Sequence, residues 1–70
     1  MIYIQTSNFG KGFITSKDRT NFSITGYASD IWVLEENHHS RVWAEEKVTY
    51  NNGRLLSKSE AEKEAGENLP

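Results

Sequence analysis

The chain contains no cysteine, which excludes disulfide staples and thiolate zinc sites and leaves the redox compartment unreadable. Proline occurs once, at Pro70, and glycine five times, so most turns must be made by Asn, Asp and Ser. No apolar run approaches the roughly 20 residues of a membrane span. A secretory leader is not legible either: Met1-Ile2-Tyr3-Ile4 gives way at once to Gln5-Thr6-Ser7-Asn8, with no basic segment before it. These absences lead to the expectation of a cytoplasmic protein, complete from its own start methionine. Histidine is limited to His38 and His39, too few to build a metal site without help, so neither a metal nor a cofactor is expected.

Charge of one sign is scarce as well. Eight basic and ten acidic residues leave a net charge of −2, too small and of the wrong sign for a generic nucleic-acid binder. The charge is uneven: residues 1–34 carry +1 and residues 35–70 carry −3. Seventy residues make one domain, 1–70, with no room for a second core. A chain this short buries only about 60% of the surface its unfolded form exposes. Without cysteine or a ligand cluster, a partner subunit is the remaining staple, so self-association as a homodimer is a natural expectation.

What is present is a change of rhythm. Up to about Leu56 the chain reads as short alternating or aromatic-rich stretches; from Ser57 it reads as one charged helix. Ile2, Ile4 and Thr6 alternate with Tyr3 and Gln5 as in a strand. Ser7 to Gly12 reads as a turn, Phe13 to Ser16 as a second strand, and Lys17 to Asn21 as a polar hairpin connection. Phe22 to Tyr27 alternates with Phe22 and Ile24 facing inward, and Gly26 suggests a bulge or bend. Ala28-Ser29-Asp30 breaks the pattern. Ile31 to Leu34 is apolar on both faces, as in the most buried strand of a sheet. Glu35 to Ser40 reads as a turn. From Arg41 to Tyr50, Val42, Ala44, Val48 and Tyr50 share one parity, and Glu46 interrupts it, which predicts either a bulged strand or two strands with a kink near Glu45-Glu46. Asn51-Asn52-Gly53 predicts a tight hairpin, with Arg54 to Leu56 as a short returning strand or the lead into the helix.

The helix expectation rests on capping chemistry. Ser57-Lys58-Ser59-Glu60 fits a capping box, and Gly66 is a natural stop. Only Ala61 and Ala65 form an apolar face, so either Leu56 staples the helix to the sheet or it is a mobile appendage. The tail after Gly66 is polar enough to fray. The predicted fold is therefore mainly β (α+β): an antiparallel meander or barrel-like sheet of about five strands over 1–56, a helix at about 57–65, and a frayed tail at 66–70.

Candidate chemistry is thin. Phe9-Gly10-Lys11-Gly12 is a fragment of a phosphate loop without its spacing or a following helix. Glu35-Glu36 and Glu45-Glu46, facing each other across the predicted turn, would make an acidic tip suited to contact rather than catalysis. Lys47 to Leu55 and the later Gly66-Glu67-Asn68 loosely resemble part of small chitin-binding carbohydrate modules. The aromatic pair that such modules place after this hairpin is replaced here by the charged Ser57 to Glu64, so no site residue is carried over.

The eight aromatics are the remaining signal, because a small sheet cannot bury them all and exposed Trp and Tyr favour interfaces. The expectation is a non-enzymatic protein-interaction module, of the kind formed by small bacterial or phage accessory and inhibitor proteins, docking on a larger protein. Its contact surface would use Trp32, Trp43 and Tyr27 with Glu35, Glu36, Glu45 and Glu46. The alternative is a module for single-stranded nucleic acid or glycan, using the same aromatics with Lys11, Lys17, Arg19 and Arg41.

Overall fold

A computed structural model describes residues 1–6, 18–50 and 52–70. Four strands form one antiparallel sheet: β1 (Ile2–Gln5), β2 (Ile24–Tyr27), β3 (Ile31–Leu34) and β4 (Arg54–Leu56), in the order β2-β3-β1-β4. A helical turn α1 (Asp18–Asn21) precedes β2, α2 (His38–Tyr50) joins β3 to β4, and α3 (Lys58–Ala65) follows β4. Because β3 and β4 both run antiparallel to β1, they run parallel to each other. The unit β3-α2-β4 is thus a split β-α-β crossover with β1 between its strands.

The period-two alternation of the strands sends apolar side chains to both faces, and each face carries a cluster. On one side Ile4, Phe22, Ile24 and Leu34 pack with Trp43 and Ala44 of α2, with Ile2 and Trp32 at the margin. On the other side Tyr3, Ile31, Val33 and Leu56 pack with Ala61, Ala65 and Leu69, with Tyr27 at the margin. The inward placement of Phe22 and Ile24 and the deep burial of β3 agree with the alternation read from sequence.

The architecture is α+β, as the sequence suggested, but the described residues hold four strands, and a central helix replaces the predicted strand over Arg41–Tyr50. The reason lies in spacing and capping. Ser40, Trp43 and Ala44, at i, i+3 and i+4, are the buried positions of α2, whereas the parity set Val42, Val48 and Tyr50 is exposed. Asn37 supplies the start. Its Oδ1 accepts the Ser40 N–H at 2.9 Å, and its own N–H donates to Ser40 Oγ at 2.8 Å, a reciprocal cap of the capping-box kind. Good helix formers at Arg41, Ala44, Glu45, Glu46 and Lys47 outweigh the β-branched Val42, Val48 and Thr49 once the Trp43 face has a sheet to cover.

Asn51-Asn52-Gly53 does not close a hairpin; the chain passes here from α2 to β4. Asn52 takes φ 57°, and the Gly53 N–H donates to the Lys47 carbonyl at 2.9 Å. A side chain at position 53 would stand 3.0 Å from that carbonyl oxygen and 3.2 Å from Ile4 Cδ1, so close approach selects glycine. The chitin-binding likeness therefore loses its hairpin. The expected hairpin connection at Lys17–Asn21 becomes α1 over Asp18–Asn21, while the predicted turn at 7–12 and strand at 13–16 lie outside the described residues.

Helix α3 matches its sequence signature closely. Ser57 Oγ accepts the Glu60 N–H, Glu60 Oε1 accepts the Ser57 N–H, and Gly66 closes the helix at φ 75°. Position 66 onward differs from a frayed end: Leu69 is buried, its N–H donates to Glu62 Oε2 at 2.8 Å, and the Tyr3 hydroxyl donates to the Pro70 carbonyl oxygen. Leu69 supplies the apolar anchor that Ala61 and Ala65 alone lack.

Candidate functional site

The seven residues singled out from sequence separate into three places. Trp43 is 6% exposed and packs edge-on to Phe22, with ring centroids 5.8 Å apart, while the Lys47 ammonium lies 5.2 Å from its ring. It belongs to the core under α2. Trp32 is half-buried on the same face of the sheet, and its indole Nε1 donates to Thr6 Oγ1 at 2.9 Å. The two tryptophans share a cluster, one on a strand and the other on a helix.

The acidic tip does not form. Glu36 is drawn toward the Met1 ammonium at 3.6 Å and Arg41 at 3.4 Å. Glu45 and Glu46 sit further along α2, facing solvent. His38 and His39 open α2 with ring centroids 5.7 Å apart, and among the described residues no three His, Cys, Asp or Glu side chains converge as metal ligands.

Tyr27 and Glu35 are the two that the fold brings together. Thr25 pairs with Val33, and Tyr27 with Ile31, across β2 and β3. One step beyond, the Glu35 N–H donates to the Ser23 carbonyl at 2.9 Å. Alternation therefore places Ser23, Thr25, Tyr27, Val33 and Glu35 on one face of the sheet. That is the face of α3, but α3 packs chiefly on β1, β3, β4 and the turn at Ala28–Asp30. The corner over β2 is left as a groove of about 220 Å³ bounded by Met1, Ser23, Thr25, Tyr27, Val33, Glu35 and Pro70.

The groove has an apolar floor and a one-sided polar rim. Val33 and Tyr27 form the floor together with Met1 and Pro70; Ser23 and Thr25 offer hydroxyls; Glu35 carries the charge. The Glu35 carboxylate is held by one long contact, 3.4 Å from the Ser23 N–H. Position 25 is exposed and Tyr27 half-exposed. Sequence reasoning missed Thr25 and Val33 because a groove needs the edge position of β2, which alternation alone does not reveal. The signal that was available is the polarity of Ser23 and Thr25 beside the apolar Ile31 to Leu34.

Of the basic residues proposed for nucleic acid or glycan, Arg41 alone has a described side chain; that of Arg19 lies outside the described part. Arg41 is engaged with Glu36, and Lys11 and Lys17 lie outside the described residues. Among the described residues no helix is long and apolar enough to cross a membrane.

No family model matches the chain, and neither a curated protein nor a solved structure matches it. The fold and groove define the class: a small α+β domain with helices on both faces of a four-stranded antiparallel sheet and an open apolar corner at one edge strand.

Proposed function

We propose that this chain is a non-enzymatic protein-docking module and that the groove at the β2 edge is its contact surface. The observation that carries this reading is the meeting of Tyr27, Val33 and Glu35 in an apolar depression that α3 leaves uncovered. Anchoring pockets in protein interfaces combine desolvated aromatic or aliphatic contact with a polar rim, and this corner supplies both. Function as an accessory or inhibitor protein acting on a larger target fits a chain of this size.

The test is site-specific photo-cross-linking in the producing cells, with a benzophenone amino acid at Thr25 or, separately, at Val42 on the opposite side of the molecule. A discrete protein adduct from position 25 and none from position 42 is the expected result. Adducts only from position 42, or from neither, would overturn the reading.

A further inference from the structure

Resting on the docking reading above, we infer that the partner offers this groove an extended segment with an apolar side chain and, two residues away, a lysine or arginine. The volume sets the first half of the motif. About 220 Å³ is below the roughly 300–1,000 Å³ of sites that enclose a whole small molecule, and it suits one large side chain laid over Val33 and Tyr27.

Charge sets the second half. Glu35 is the one charged side chain in the lining, and its weak 3.4 Å contact with the Ser23 N–H leaves acceptor capacity unused. The Met1 ammonium is drawn to Glu36 at 3.6 Å, and Arg41 also goes to Glu36. Among the described ion pairs neither cation answers Glu35. A basic partner group does.

Register sets the spacing. Val33 of the floor pairs with Thr25, and the Ser23–Glu35 pair lies one two-residue step along the strands, a distance of about 7 Å. An extended chain repeats its side chains on one face at that same step. Strand β2 also ends the sheet order among the described residues, so an extended segment can lie alongside it. The motif is apolar-x-basic. An acidic rim opposes nucleic acid at this site.

The experiment is selection of a random heptapeptide phage library on the immobilised full chain, with depletion on a Thr25→Arg variant whose circular dichroism and thermal unfolding match wild type. Thr25 is exposed, so the arginine fills the groove without entering the core. Enrichment of apolar-x-basic peptides is expected, with binding about tenfold weaker to Glu35→Gln, and a Glu35→Lys variant should select acidic residues at the same spacing. Enriched peptides without a basic residue, or binding Thr25→Arg as well as wild type, would sink the inferred motif while leaving docking elsewhere intact. No enrichment on wild type would overturn the motif and the docking reading together.

Discussion

The ring of Trp32 lies across Gly26. The two residues are cross-strand partners in β2 and β3, and a methyl group at position 26 would stand 2.6 Å from Trp32 Cζ3. The glycine is therefore the seat of the indole rather than a bulge, and the seat aims Nε1 at Thr6 Oγ1, 2.9 Å away. Gly26→Ala should displace the ring and cost about 1–3 kcal/mol as an overpacked contact. Urea denaturation checks the cost, and a changed Trp emission spectrum in the folded state checks the cause.

Trp43 and Trp32 should respond differently to truncation. Trp43→Ala empties the α2 side of the core and should cost about 3–5 kcal/mol, a large part of the stability of a domain this small. Trp32→Phe keeps the stacked ring, loses one hydrogen bond, and should cost about 1 kcal/mol. If Trp43→Ala melted within a degree or two of wild type, the placement of Trp43 in the core would be wrong.

The Asn37 cap should prove as strong as the more recognisable Ser57 cap. Asn37→Ala removes the Oδ1 that accepts the Ser40 N–H, leaves the backbone N–H of residue 37 bonded to Ser40 Oγ, and should lower stability by about 1 kcal/mol. Ser57→Ala should do similarly through Glu60. Ser40→Ala removes the other bond of the pair, the Oγ that accepts the Asn37 N–H, and a double-mutant cycle of the two substitutions measures how far the reciprocal bonds support each other.

Glu60 gives a sign-defined pH effect. The Ser57 backbone N–H, and after it the Ser57 side chain, hold the Glu60 carboxyl below its ordinary range, with a small contribution from Arg54. A lowered folded-state value means that the contribution is present above the unfolded carboxylate range and fades as pH falls through the folded one. Wild type should therefore exceed Glu60→Gln in urea midpoint at pH 7, and the gap should close in the acid range. A gap that widened on acidification would contradict the capping geometry.

The turn between β2 and β3 carries avoidable strain. The Ile31 N–H closes onto the Ala28 carbonyl, with Ser29 at φ 62° and Asp30 at φ 57°, the backbone of a type I′ turn. Ser29→Asn with Asp30→Gly should raise stability by about 0.5–1 kcal/mol, read as a higher urea midpoint. The two carbonyls used here, Ser29 to the Gln5 amide and Asp30 to the Thr6 N–H, belong to the backbone and survive the change.

Legibility from sequence followed locality. Strand β1, the inward Phe22 and Ile24, buried β3 and the capped α3 are written in neighbouring residues, so pattern and capping rules reached them. Helix α2 was misread because Val42, Ala44, Val48 and Tyr50 mimic a strand parity, while its true face needs a sheet surface for Trp43 to cover. The Asn37-to-Ser40 cap was the available counter-signal, disguised by a histidine pair and by Ser in the place of Glu. The docked tail depends on Leu69 meeting Tyr3 and Ala65 from the far end of the chain, and no local rule carries that information. The groove followed the same logic: Tyr27 and Glu35 were singled out for residue type, but their meeting depends on β2 pairing with β3 and on where α3 stops.

The most direct measurement is a ¹⁵N–¹H correlation titration of the labelled chain with a capped apolar-x-basic peptide. Shifts should concentrate at Ser23, Thr25, Tyr27, Val33, Glu35 and Leu69, and disappear in Thr25→Arg. Shifts confined to α2, or shifts that persist unchanged in Thr25→Arg, would contradict a docking surface at the β2 edge.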